Sequence, residues 1–306
     1  MTYDRRAFLK TFSAGAIGAG ALSQTSAAQE KLQTGAGPIL NLALAAYSFK
    51  PHYAFQKGKS QEPRNGKAID MFGFIDYCAE QGCGAELTSY FFPPDADEAY
   101  FLKIKRHAFL NGVPIVGTAI GNNFTMAKGE KLDQQIADAK LWIERAAVMG
   151  APHIRLFAGK RKEWEAAPEN KTNAIASLQE CADHAAKFGI FVGVENHGDL
   201  SGDQVIEIVK GVESDWFGVN LDSGNFVSED PYAEFAQCAP FAVNVQIKTE
   251  MKTPKKGVLA HADLKRVAQI LKDANYRGNV VLEYEEEDSF EGVPGAMDQL
   301  RKFFGS

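Results

Sequence analysis

From Gly37 onward, short apolar and β-branched runs alternate with longer stretches whose apolar positions recur every three or four residues, and this alternation repeats eight times. The short runs predict strands over 40–47, 85–88, 114–118, 153–157, 190–196, 217–222, 242–248 and 279–284. The longer stretches predict helices near 70–80, 97–111, 131–148, 172–188, 203–212, 231–238, 261–274 and 294–304. Leu132, Ile136, Ala139, Ile143 and Ala146 line one face of the third helix, and Leu264, Val267, Ile270 and Leu271 one face of the seventh. Gly82, Gly112, Gly150 and Gly189 punctuate helix-to-strand joints, where left-handed caps are favoured. Eight βα units without a linker or a shift in composition predict one closed (β/α)8 TIM barrel. The alternative is an open doubly wound sheet, but no GxGxxG follows the first strand. The segment 50–68 after the first strand is unusually long and carries Lys57, Lys59, Arg64 and Lys67, at a barrel face where long loops act as lids.

Composition narrows the partners. The 306 residues are 45% hydrophobic and 24% charged with a formal net charge of −6, which argues against nucleic acid and suits a neutral small molecule. Cys78, Cys83, Cys181 and Cys238 form no CxxC pair and read as small buried residues; their spacing demands no disulfide. At the N-terminus, Asp4-Arg5-Arg6-Ala7-Phe8-Leu9-Lys10 resembles the twin-arginine export motif. An uncharged stretch, Thr11 to Leu22, and the small residues Ser26-Ala27-Ala28 complete the pattern of a leader. The expected organisation is therefore a signal peptide over 1–28 and a barrel domain over 29–306, carried by the twin-arginine machinery to the periplasm or another extracytoplasmic space. The apolar run falls short of the roughly 20 residues of a stable membrane span. The composition is compatible with a homo-oligomer.

In such a barrel, chemistry gathers at the carboxyl ends of the strands. Side chains alternate faces with period two, so Glu195 shares a face with His197 and Gln246 with Lys248, while Val194 and Leu221 face the helices. Strands five to eight thereby direct Glu195, Asp222, Gln246 and Glu283 toward one axial point. Crowded carboxylates repel unless a positive charge neutralises them, and an all-oxygen set favours Mn²⁺ or Mg²⁺ over Zn²⁺. His197 is expected to contact substrate. Arg155 reads equally as a substrate contact or an interior ion-pair partner. Tyr90, with Phe91 and Phe92, suits the apolar face of a sugar ring or simply the core, and Glu86 is ambiguous in the same way. The acidic run Glu285 to Asp288 is expected to be solvated.

The order Glu, Asp, a polar residue with Lys two positions on, then Glu, across strands five to eight, resembles the sugar isomerase/epimerase family of xylose-isomerase-like barrels. The resemblance runs from Ala45, Tyr47, Ser48 and Phe49 to Glu283. It implies a divalent metal held by Glu195, Asp222, Gln246 and Glu283, with Glu195 and Glu283 also the proton-transfer pair. Two positions depart from the family: Gln246-Ile247-Lys248 where His-x-Lys is usual, and Asp222-Ser223-Gly224-Asn225 where Asp-Thr-Gly-His is frequent. The implied chemistry is proton abstraction beside a carbonyl of a keto sugar, with Lys248 steadying the enediolate oxygen. Reprotonation would make an epimer or an isomer. Loss of a leaving group, or hydration, would make the same site a lyase or hydratase of 3-keto sugars or glycosides, and a non-catalytic sugar-binding barrel is the third alternative. Sugar phosphates are disfavoured, since no glycine-rich cradle follows strands seven and eight. The family's DNA-cleaving relatives use many histidines, and this chain has six.

Overall fold

A computed structural model describes residues 37–305, apart from 256 and 287. The expected leader with Arg5 and Arg6 lies outside the described residues. Eight parallel strands close into a barrel in sequential order: β1 (Ile39–Ala45), β2 (Gly84–Thr88), β3 (Ile115–Ala119), β4 (His153–Phe157), β5 (Phe191–Glu195), β6 (Phe217–Asp222), β7 (Ala242–Ile247) and β8 (Arg277–Leu282). β8 pairs with β1 from Ile39↔Arg277 to Leu44↔Leu282, which closes the ring. Each predicted strand is present, with ends moved by at most two residues.

The helices are α1 (Met71–Glu80), α2 (Glu98–Leu110), α3 (Glu130–Met149), α4 (Arg161–Ala166), α5 (Pro168–Ala186), α6 (Gly202–Gly211), α7 (Pro231–Cys238), α8 (Leu264–Asp273) and α9 (Ser289–Phe304). Side-chain caps begin several of them: Asp70 accepts from the Gly73 N–H at 2.8 Å and Asp97 from Tyr100 at 2.8 Å. Two differences from the sequence reading have local causes. The last helix starts five residues earlier than 294, because Asp288 caps it by accepting from the Phe290 N–H at 3.0 Å, and Pro294 is carried inside it. The short α4 was not expected; Glu163 ties it down by accepting from Asn123 and Thr125 at 2.9 Å each.

Alternation along the strands divides the interior. Val192, Val194, Val219, Leu221, Val245 and Ile247 face the helices in one large apolar cluster. A second cluster, inside the barrel, holds only Ala43, Ala45, Val116 and Val281. The rest of the lumen is polar: Glu86, His153, Arg155, Asn220, Asn244 and Gln246 are all buried. Gly193 makes room for this filling, since a Cβ there would stand 2.4 Å from His153 Nε2. All four cysteines are buried free thiols. The 50–68 segment forms a short ribbon, Phe55–Gln56 with Lys59–Ser60, and Lys57 reaches over the Tyr90 ring at 4.4 Å. Among the described residues, no helix is long and apolar enough to cross a membrane.

Candidate active site at the mouth of the barrel

The register sets Glu195 opposite Asn220 and Asp222 opposite Gln246, so the strand ends bring the expected residues to the same end of the lumen. Lys248 lies just past β7. Its ammonium is 3.1 Å from Glu283 Oε1, 3.3 Å from Asp222 Oδ2 and 2.7 Å from Glu285 Oε1. Burial alone would lower its pKa, but Asp222, Glu283 and Glu285 hold it well above the ordinary lysine value. On the other side, Arg155 Nε sits 2.8 Å from Glu195 Oε2, and its Nη1 donates to the Ile120 carbonyl at 2.6 Å. Asn225 donates to Glu195 Oε1 at 2.8 Å. Arg155 is thus the interior ion-pair partner of Glu195.

The carboxylates remain expensive to ionise despite these cations. Burial raises Glu195 and Glu283, and raises Asp222 to about 6 against the opposing pull of Lys248. Burial, reinforced by Glu283 and Glu195 and opposed by Arg155, lifts Glu86 to about 8, so Glu86 is largely protonated at neutral pH. Glu86 accepts from Gln246 at 2.9 Å and from Asn244 at 3.3 Å.

Gln246 differs from the orientation a ligand would take. Its Nε2 donates to Glu86 and, at 3.1 Å, to Glu283 Oε2, while its carbonyl accepts from Asn220 at 2.7 Å. With two carboxyl groups beside the nitrogen and an amide donor beside the oxygen, this orientation is the one the network selects. Gln246 is here a bridge between Glu86 and Glu283.

Among the described residues, no three His, Cys, Asp or Glu side chains are gathered closely enough to form a metal cluster. The donor chemistry nevertheless fits a hard divalent cation. Glu195, Asp222 and Glu283 are buried oxygen donors, and the fully buried Asp222 Oδ2 is met only by the Lys248 ammonium at 3.3 Å, outside hydrogen-bond geometry.

His197 is half-buried and stacks on Phe157 with ring centroids 4.2 Å apart. Burial, aided by Arg155, lowers its pKa to about 3, so it is a neutral donor and acceptor at the mouth. Tyr90 is buried and stands edge-on to Tyr47, 6.2 Å between centroids.

Two residues escaped the sequence reading. Glu285, expected to be solvated, accepts from Lys248 and from Lys50 at 3.1 Å; burial would raise it, but these two ammonium groups bring it down to about 2. Its neighbour Asp288 caps α9 and pairs with Lys67 at 3.5 Å. The missed signal was the period of two, which places Glu285 on the same face as Glu283. Tyr47, which enters the sequence reading through the family resemblance alone, has Lys50 4.7 Å over its ring, beside Glu285.

A closed parallel barrel with buried carboxylates and lysine at its carboxyl end defines the class of protein. The family model of xylose isomerase-like TIM barrels matches residues 75–304, and the chain belongs to that family. No curated protein matches it. Among solved structures it is similar to a D-psicose 3-epimerase in the presence of D-fructose, at 16% identity and TM-score 0.67, covering 87% of this chain and 100% of that one. It is also similar to a 3-keto-D-glucoside 4-epimerase from E. coli, at 15% identity and TM-score 0.61, covering 86% and 99%. A xylose isomerase-like protein from Mycobacterium smegmatis in complex with magnesium has 17% identity and TM-score 0.64, covering 88% and 97%. These likenesses establish the fold.

Proposed function

We propose that the protein is an isomerase or epimerase of a non-phosphorylated keto sugar, dependent on Mn²⁺ or Mg²⁺ and exported by the twin-arginine route. The observation that carries the reading is the Lys248 ammonium in contact with Asp222 and Glu283 at the mouth of a polar lumen. Glu195, Asp222 and Glu283 would hold the cation, with Gln246 beside them. Bound there, it would polarise a carbonyl and its neighbouring hydroxyl and so acidify the intervening C–H. The magnesium complex of one structural neighbour supports a divalent ion of this kind.

The chain's own residues account for the rest. Glu195 and Glu283 arrive from β5 and from just past β8, on either side of Asp222, and serve as base and acid. Lys248 donates to the enediolate oxygen as charge develops. Neutral His197 hydrogen-bonds a sugar hydroxyl, Tyr90 offers a ring face, and Arg155 and Glu86 hold Glu195 and Gln246 in place. The cavity above β6 to β8, about 260 Å³, is lined by Glu250, Glu283, Glu285 and Glu286 with Lys248 and Lys252. Four carboxylates against two ammonium groups disfavour a phosphorylated ligand. Export rests on the Asp4-Arg5-Arg6 leader pattern.

The test is solvent exchange. With Mn²⁺ supplied, the protein should move deuterium from D₂O into a carbon-bound position of one member of a keto-hexose and 3-keto-glucoside panel, and EDTA should stop it. Sugar binding without exchange would replace this reading with a binding module, and alkene or hydrated products would make the site a lyase or hydratase.

A further inference from the structure

Two of the four buried cysteines are set against each other where α1 ends. The Gly82 backbone is left-handed, at φ +59°, and turns the chain back on the helix. The Gly82 N–H then donates to the Ala79 carbonyl at 3.0 Å, and the Cys83 N–H to the Cys78 carbonyl at 3.1 Å. This pair of bonds is the Schellman closure of a helix, in which the residue after the glycine packs back onto the last turn. An apolar contact is usual at that place. Here both side chains are thiols, and they hydrogen-bond each other.

The two thiols differ in access and in character. Cys78 is fully buried, whereas Cys83 is 7% exposed and lines a cavity of about 660 Å³. That cavity lies at the amino ends of β1, β2 and β8, the end of the barrel opposite the carboxylates. Asn41, Asn111 and Asn279 give it polar groups, and Arg301, paired with Asp298 at 2.6 Å, stands at its wall. The hydrogen bond from Cys78 brings the Cys83 thiol below its ordinary pKa against the upward push of burial, and Arg301 adds to the lowering. Burial holds Cys78 well above the ordinary value. An accessible thiol inclined to ionise, beside a buried one that stays protonated, is the arrangement of an attacking and a resolving cysteine. Cys181 and Cys238 are fully buried, and burial pushes each up to about 12.

We propose that Cys83 and Cys78 are a thiol–disulfide exchange site, at which a small disulfide entering the lower cavity closes a Cys78–Cys83 bridge. Cys83 gives up its proton, and its sulfur attacks one sulfur of the incoming disulfide; that S–S bond breaks and the first small thiol leaves. Cys78 then loses its proton and attacks the Cys83 sulfur, which releases the second small thiol. The cysteine pair is oxidised by two electrons, and the incoming disulfide is reduced by the same two. The site needs nothing from the sugar reading. The test incubates the whole folded protein with oxidised glutathione, alkylates the remaining thiols under denaturing conditions and maps them by mass spectrometry. Wild type should lose Cys78 and Cys83 together to one intramolecular bridge, undone by dithiothreitol, at least about tenfold faster than Cys181 or Cys238 reacts. Cys78→Ser should instead keep glutathione on Cys83. All four cysteines alkylated in folded wild type, or losses spread evenly over them, overturn the exchange site. So does glutathione that stays on Cys83 in wild type, since Cys78 then fails to resolve it. The wild-type map stands whether or not Cys78→Ser folds.

Discussion

The two faces of β6 are equally dry and do different things. Phe217, Val219 and Leu221 point to the helices, Asn220 and Asp222 into the lumen, and all five are fully buried. On the outer face, stabilisation is non-directional and grows with apolar area removed from water. On the inner face every group depends on a particular partner: Asn220 on Gln246 and Asn244, Asp222 on Lys248 and on the Gly224 N–H at 2.7 Å. Burial therefore does not separate scaffold from site in this barrel. The polarity of the buried group does.

Substitutions at the two faces should break in opposite ways. The largest effect is expected at the proposed proton-transfer pair: Glu195→Gln or Glu283→Gln should lower turnover about 100- to 10,000-fold, read by solvent deuterium exchange. Each change also removes one partner of a buried ion pair, Arg155 for Glu195 and Lys248 for Glu283, so some thermal stability should be lost and turnover is compared per folded molecule. If both variants turn over normally, the glutamates are structural and the mechanism is wrong. On the outer face, Leu221→Ala should cost about 2–5 kcal/mol of unfolding free energy. Its exchange rate per folded molecule should stay close to wild type, and a collapse of activity in well-folded Leu221→Ala protein would erase the distinction.

The lumen also carries a pH signature. A carboxyl whose folded pKa is raised lets the folded state bind more protons, so stability is full below the unfolded pKa and is lost as pH rises through the folded one. For Glu86 that window runs from its ordinary value, 4.5, to about 8. In metal-free protein, Glu86→Gln should therefore gain on wild type across that range and level off above it. The gain should exceed ~1 kcal/mol by pH 9, since each unit of pKa difference carries about 1.4 kcal/mol. Denaturant titrations at pH 5 and pH 9 with an unchanged difference would show Glu86 to be ionised throughout. The smallest effect is expected at Gln246. Gln246→His restores the family's imidazole and should tighten Zn²⁺ on the order of tenfold. Equal or weaker affinity would mean that residue 246 is a bridge and never a ligand.

The outer face was the more legible in the sequence. Alternating Val192, Val194, Val219 and Leu221 announced strands, their direction and their helix-facing side, and the same alternation put Glu195, Asp222 and Glu283 inside. What periodicity cannot convey is how interior polar groups pair. Arg155 was left between two roles until Glu195 was found 2.8 Å away. Asn220 and Asn244 belong to no motif in the sequence, and in the barrel they are hydrogen-bonded to each other at 2.8 Å. Glu285 was hidden in an acidic run because its partners, Lys50 and Lys248, are more than thirty residues distant in sequence. Such pairing is long-range and directional, and only the closed barrel sets it.

The Lys248 and Arg155 ion pairs have a consequence for the order of events in the life of the molecule. A ring of like charges without internal counter-charges would hold the strand ends apart until a cation arrived, making assembly and loading one event. Here the counter-charges are part of the chain, so the barrel can close on its own. On the proposed reading, loading would be a later exchange, in which an incoming ion takes over contacts that an ammonium group keeps. Folding would then not have to wait for the ion.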